Sequence, residues 1–264
     1  MATNEQVYRF IDGDAYERYM GRWSRAACPE FLAWVGARKG ASWLDVGCGT
    51  GALTAAILAT EAPKSIDAVD PAQAQVETAR QQLSSPLARF DDADACALPF
   101  EHARFDVVAS ALVVNFIPDR PKALAEMHRV LCAGGIVAGF VWDFAAERSP
   151  SGPVRRALKD AGVEVPAVPG TVDSPLDRLA ALFRDAGFAS VETRVIDVVQ
   201  RFASAEEFWT VQTTGFAPTA GVIKKTAPEV VARAKQLAIA NVQVAPDGSV
   251  SYTARANAVK AVKP

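Results

Sequence analysis

From residue 42 to residue 142 the chain alternates short apolar runs with amphipathic segments, and this rhythm restricts the fold more than any other feature. "SWLDVG" (42–47), "SIDAVD" (65–70), "LARFDD" (87–92), "RFDVVAS" (104–110) and "GGIVAGFVW" (134–142) read as strands. Helical segments at 50–60, 71–83 and 119–132 separate them, the last with Leu124, Met127 and Leu131 on one face. Apolar strands joined by helices form a parallel sheet covered on both faces, with right-handed crossovers. Such sheets bind ligands at the carboxyl ends of their strands, where the strand order switches. The expected fold class is α/β, a Rossmann-like doubly wound sheet.

The flanks read differently. Tyr16, Tyr19, Met20, Trp23, Phe31, Leu32 and Trp34 recur at helical spacing and predict a helix over 14–36, broken near Pro29. Residues 144–173 are rich in Pro, Gly and Ser and read as a loop with a short helix. Ser174 reads as a helix cap, Pro175 as the first helical residue and Gly187 as the stop. Leu176, Leu179, Leu182 and Phe183 form the apolar stripe between them. A strand follows at 190–202, and the pairs Ser204/Glu207 and Thr226/Glu229 predict capping boxes for helices near 205–214 and 227–240. A turn and a last strand occupy 247–262. The expectation is one domain with a core of about 37–142 and 174–264, capped by 14–36 and 205–240.

Composition narrows the partners. Lys and Arg number 28 against 30 Asp and Glu, giving a net charge of −2, so no basic excess awaits a nucleic acid. No basic start followed by an apolar core opens the sequence, and the longest apolar run, near 105–117, is too short to span a bilayer. A cytoplasmic protein with no membrane partner is expected. Cys28, Cys48, Cys96 and Cys132 are widely spaced, form no C-x-x-C pair and read as buried free thiols.

The stretch "WLDVGCGTG" (43–51) carries the chemistry. Gly47, Gly49 and Ala52 satisfy the G-x-G-x-x-A fingerprint of a dinucleotide loop, and Asp70, 19 residues after Gly51, ends the second strand where a ribose is held. An NAD-dependent oxidoreductase and an S-adenosylmethionine enzyme both use an adenosine ribose, so Asp70 does not separate them. Asp45 does: two residues before the first glycine, a carboxylate repels a pyrophosphate but suits a ligand bearing an ammonium and a sulfonium. Backbone N–H groups of the loop remain for the ligand's carboxylate.

Four segments in order resemble the class I S-adenosylmethionine-dependent methyltransferases of the ubiquinone/menaquinone-biosynthesis-like, small-molecule type. They are "LDVGCGTGALT", "AVDPAQAQVETAR", "DADACALPFEHARFDVV" and "EMHRVLCAGGIVAGF". The resemblance covers about 40–142 and implies S-adenosyl-L-methionine as cofactor. It places Asp45, Gly47, Cys48 and Gly49 at the loop, Asp70 and Pro71 at the ribose, Asp94 at the adenine amino group and the Ala95 backbone at the ring. Gln75 stands where the family has an apolar residue against adenine. "YERYMGRWSR" (16–25) resembles a leader helix that folds over the cofactor in one bacterial subgroup, which nominates Tyr19 and Arg22. The family fold also adds an antiparallel strand, a role that 247–262 fits.

Methyl transfer needs alignment of nucleophile, methyl and sulfur, and a base only for a poorly nucleophilic acceptor. His102 and His128 do not lie at strand carboxyl ends, so neither qualifies. Asn115, Trp142, Asp143 and Trp209 are the candidates for the acceptor side, and Phe140, Phe208 and Phe216 suggest an apolar or aromatic small molecule. No ligand set for a metal assembles. A non-catalytic S-adenosylmethionine-binding regulator is the third reading beside the methyltransferase and the oxidoreductase.

Overall fold

The computed structural model describes residues 20–213 and 219–264. Tyr16, Tyr19 and Phe216 lie outside the described residues. The first helix, α1 (Arg22–Val35), buries Trp23, Ser24, Ala27, Cys28, Phe31, Leu32 and Val35 on one face. It runs unbroken through Pro29, contrary to the expected break. Pro29 sits on the exposed face, where water can satisfy the carbonyl that lacks its N–H partner. Gly36, at φ 66°, ends the helix with its N–H on Leu32 O.

The alternating segment folds as its rhythm requires. Its elements are β1 (Ser42–Val46), α2 (Ala52–Thr60), β2 (Ser65–Asp70), α3 (Gln73–Gln82), β3 (Ala88–Asp92), β4 (Phe105–Ala111), α4 (Arg120–Val130) and β5 (Leu131–Trp142). Beyond them lie α5 (Gly152–Asp160), α6 (Leu176–Asp185), β6 (Ala189–Phe202), α7 (Ala205–Thr213), α8 (Ala220–Ile223), α9 (Pro228–Ala240), β7 (Gln243–Val244) and β8 (Val250–Val262). The sheet order is β3-β2-β1-β4-β5-β8-β6, with β7 on β8. Strands β1 to β5 pair in parallel, and β8 lies antiparallel between β5 and β6. The strand order reverses between β1 and β4, so the crevice at their carboxyl ends is the place for a ligand.

Strand alternation sorts side chains to two faces. Trp43 of β1 and Ala138, Phe140 and Trp142 of β5 face α1, α2, α5, α7 and α9 in one apolar cluster. Leu44, Val46, Val137 and Val141 face α4 and α6 in the other.

Four local expectations need correction. Strand β5 starts at Leu131, not 134, because Leu131 pairs with Phe105 before an irregularity that contains Gly134 and Gly135. Ser174 does not cap α6: its Oγ donates to Thr171 O and accepts from Ala145 N, and Pro175 takes the cap position in extended conformation. Thr226 does not cap α9 either, since its hydroxyl donates back to Val222 O. Cys96 and Cys132 are half-buried, while Cys28 and Cys48 are buried. The Ser204 cap holds, with its Oγ accepting the Glu207 N–H at 3.1 Å. No described helix is long and apolar enough to cross a membrane.

Candidate functional site

At the carboxyl end of β1 the backbone turns through three glycines with positive φ. The N–H groups of Gly47 and Cys48 both reach Val69 O, at 2.7 and 2.9 Å, and tie the turn to β2. At Gly47 (φ +76°) a Cβ would lie 2.5 Å from both methyls of Val113. At Gly51 (φ +90°) it would lie 2.5 Å from a methyl of Leu83. Neither position admits a side chain, which lets the turn press against its neighbours and open α2 beneath the site.

Asp70 organises the adjoining turn. Its Oδ2 accepts the Gly49 N–H at 3.0 Å and its Oδ1 the Ala72 N–H at 2.9 Å. Each carboxylate oxygen has a second lone pair, so the pair can still accept from two hydroxyls. Burial raises the Asp70 carboxyl above its ordinary value, against the lowering effect of those two backbone bonds. Asp45 is wholly buried. Its Oδ2 accepts the Thr54 hydroxyl at 2.7 Å, and its Oδ1 has no partner. Burial pushes its carboxyl up to about 7, with the Thr54 hydrogen bond opposing and the charge of Asp70 adding.

These turns surround a cavity of about 370 Å³, within the range of small-ligand sites. Its wall contains Val46–Thr50, Ala52 and Leu53 from the loop and α2, and Asp70–Ala72 and Gln75 from the second turn. Ala93–Ala95, Ala111–Val113 and Phe116–Pro118 close the far side, and Ser24 and Cys28 close it from α1. Its charged side chains, Asp70 and Asp94, are both acidic. Its two thiols stay protonated at neutral pH, because burial pushes Cys28 up to about 12 and raises Cys48 as well.

Of the nominated residues, Gly47, Cys48, Gly49, Asp70, Pro71, Gln75, Asp94 and Ala95 meet at this cavity. Others do not. Asp45 is not in the wall; it is buried at the end of β1 with its Oδ2 on the Thr54 hydroxyl. Arg22 turns to β6, donating to Gln200 Oε1 at 3.0 Å and Arg201 O at 2.9 Å, with its guanidinium 4.6 Å from the Phe202 ring centre. Asn115 donates to Pro169 O and pins the loop after α5. Asp143 accepts the Ala146 N–H and closes a local turn. Trp142 and Trp209 are buried in the apolar cluster with Phe140 and Phe208. His128 packs on the Phe188 ring, and His102 is exposed in a turn. Tyr19 lies outside the described residues. Among the described residues, no three His, Cys, Asp or Glu side chains gather as metal ligands.

The sequence reading missed Ser24, Cys28, Leu112, Val113 and the segment Phe116–Pro118. Ser24 and Cys28 were findable: they stand four apart, so they share a face, and both interrupt an apolar stripe with small polar groups. Leu112 was not, because its place depends on a backbone φ of 64° that no sequence rule assigns to leucine.

The site accommodates S-adenosylmethionine and disfavours a diphosphate. Asp70 keeps lone pairs for two hydroxyls beside its backbone bonds. The acidic wall attracts an ammonium and a sulfonium and repels phosphate.

Residues 44–139 match the family model described as a methyltransferase domain. The malonyl-[acyl-carrier protein] O-methyltransferase of Serratia marcescens is 30% identical over 142 residues, which cover 52% of this chain and 54% of that protein. The demethylmenaquinone methyltransferase of Staphylococcus aureus is 36% identical over 105 residues, covering 39% and 44%. The chain thus spans about half the length of these curated relatives. In fold it is similar to the YcgJ protein of Bacillus subtilis, with TM-score 0.58, 17% identity and coverage of 92% of this chain and 98% of that one. It is also similar to phosphoethanolamine N-methyltransferase 2 of Haemonchus contortus in complex with S-adenosyl-L-methionine. There the TM-score is 0.60 at 17% identity, covering 99% of this chain and 59% of that one.

Proposed function

We propose, on the premise that this chain belongs through residues 44–139 to the class I S-adenosylmethionine-dependent methyltransferases, that it transfers a methyl group to a small-molecule acceptor. The observation that carries this reading is Asp70: anchored by the Gly49 and Ala72 N–H groups, it faces a glycine-lined cavity whose charged residues are acidic. When bound, the cofactor supplies a methyl on a sulfonium, whose departure as a neutral thioether drives an in-line displacement.

The chain's own residues orient and enclose. Asp70 accepts from the ribose hydroxyls, and Asp94 with the Ala95 backbone meets the adenine edge. Gln75, buried in the wall, makes that side more polar than an apolar residue would. Leu112, Val113, Phe116 and Ile117 exclude water along the far wall. Alignment of this kind contributes ~7–11 kcal/mol to rate in favourable cases. With both cavity thiols protonated, neither serves as nucleophile or base, and the acceptor supplies the attacking lone pair.

Calorimetry with S-adenosylhomocysteine and with NADH tests the reading. Binding of the first and none of the second is expected. Tight NADH binding without S-adenosylhomocysteine binding would overturn it.

A further inference from the structure

Between α5 and α6 the chain meets the segment that follows β4, and residues 166–174 form a strap there with little apolar burial. Val168 is the strap's one buried apolar side chain, Val172 is 71% exposed, and the 3-10 turn Thr171–Asp173 buries nothing. Few apolar contacts mean low local stability, so such a segment opens readily unless polar bonds fasten it. The first fastening is Asn115, whose Nδ2 donates to Pro169 O at 3.2 Å. Gly170 (φ +65°) lies so near that a Cβ would stand 2.2 Å from Asn115 O. Asn115 is 2% exposed, and its Oδ1 meets no donor among the described residues. A buried oxygen without a donor works against this closed arrangement.

Arg120 supplies the stronger fastening. It opens α4, and its Nη1 donates to Ile117 O at 2.9 Å and to Asn115 O at 3.3 Å. Its Nη2 meets Asp173 Oδ2 at 2.9 Å, with the two side chains 20% and 12% exposed. A charge-assisted pair so shielded is screened less than an exposed one. The guanidinium is a rigid planar fork, so Asp173 on one prong fixes the aim of the other. Phe116, Ile117 and Pro118 line the cofactor cavity, while Arg120 and Asp173 do not. One short segment therefore borders the ligand and carries the carbonyls that Arg120 holds.

We propose that Arg120 is a positioning residue for the cofactor, holding the wall of Phe116, Ile117 and Pro118 closed against it, and that Asp173 latches the strap to that wall. This rests on the methyltransferase reading. Arg120 acts through backbone carbonyls and touches no reacting atom. With the latch closed, the wall is fixed on its outer side by Arg120 and by the strap at Asn115. With the latch open, the wall is free to move away from the ligand, and the product S-adenosylhomocysteine leaves. Segments that open in this way set the rate of product release in many enzymes. Loosening the wall removes contacts that exist only once the ligand is seated, so it changes departure more than arrival.

The test is surface plasmon resonance of the immobilised full chain with S-adenosylhomocysteine, which reads association and dissociation separately. Arg120→Gln is expected to speed dissociation about tenfold and to leave association within about twofold. Asp173→Asn and Gly170→Ala leave the carbonyl bonds of Arg120 in place and loosen only the strap, so each should speed dissociation about threefold. The control is Arg104→Gln, which breaks an ion pair with Asp67 of 2.8 Å away from the cavity wall. It should lower the melting temperature and move neither rate. An unchanged dissociation rate in Arg120→Gln beside a lowered melting temperature would make Arg120 a structural anchor alone and overturn the proposal. Equal acceleration by Arg104→Gln would do the same. Should Arg120→Gln not fold, unchanged rates in both strap variants overturn it. No binding of S-adenosylhomocysteine by the parent protein would instead strike the methyltransferase reading, and the latch with it.

Discussion

Replacing Asp45 by asparagine should flatten the pH dependence of stability, and the size follows from burial. The carboxyl is fully buried and its titration lies near 7 rather than 3.8, a difference worth ~4 kcal/mol at about 1.4 kcal/mol per tenfold change in proton affinity. The sign follows from which state keeps the proton. Below about pH 4 both folded and unfolded chains hold it, and the folded state bears no ionisation cost. As pH rises towards 7 the unfolded chain releases the proton first, so stability falls; above 7 the full cost is present and constant. Between pH 5 and 7 the wild-type protein should therefore lose ~2 kcal/mol that Asp45→Asn keeps. The amide can still accept from Thr54, but its NH₂ replaces Oδ1 at a position without a partner, a pH-independent cost of ~1–3 kcal/mol. Urea unfolding of both proteins at pH 5, 6, 7 and 8 reads the two contributions separately. Parallel stability curves would refute the reasoning, since they would mean that Asp45 is already ionised at pH 5 in the folded chain.

Asp70→Ala should weaken S-adenosylhomocysteine binding by ~1–3 kcal/mol, because it removes the ribose acceptor and frees the Gly49 and Ala72 N–H groups; unchanged affinity by calorimetry would show that the ribose lies elsewhere. Gly47→Ala should destabilise by ~2–4 kcal/mol through its clash with Val113 and its positive φ. The double variant with Val113→Ala should recover part of that loss in thermal unfolding, and no recovery would mean that the contact is not the cause. Arg22→Met should lower the melting temperature by loosening α1 from β6, yet leave S-adenosylhomocysteine affinity within about twofold; a large affinity loss would return Arg22 to the cofactor.

What the sequence conveyed well was what period and turn chemistry control. The five parallel strands were legible because each is an apolar run set between helical patterns, and β1 is buried from Trp43 to Val46. The turns at the cavity were legible because Gly47 takes a positive φ and because Asp70 and Asp94 each accept a backbone N–H two residues on. The nominated residues that do not line the cavity depend on long-range packing. Arg22 stands two residues before the cavity-lining Ser24, yet its partners are 178 and 179 residues away on β6. Asn115 follows the right strand, but the loop through Pro169 and Gly170 claims it. Pro29 shows the same limit inside one helix: the break it predicts depends on which face it occupies, and that face is set by what α1 packs against.

Asp45 also predicts a proton linkage in cofactor binding. Near pH 7 the unliganded protein holds a proton on about half of its Asp45 carboxyls, given a titration point of about 7. A ligand bringing positive charge to the glycine turn above it favours the ionised form. Binding of S-adenosylmethionine at pH 6–7 should then release a fraction of a proton, more than S-adenosylhomocysteine does, because only the former carries the sulfonium. Calorimetry in two buffers of different ionisation enthalpy measures that fraction directly. The release should vanish in Asp45→Asn and shrink above pH 8, where the carboxyl is already ionised. Equal apparent enthalpies in both buffers at pH 6.5, with binding intact, would mean that the charge beneath the loop does not sense the ligand, and Asp45 would then be a structural partner of Thr54 alone.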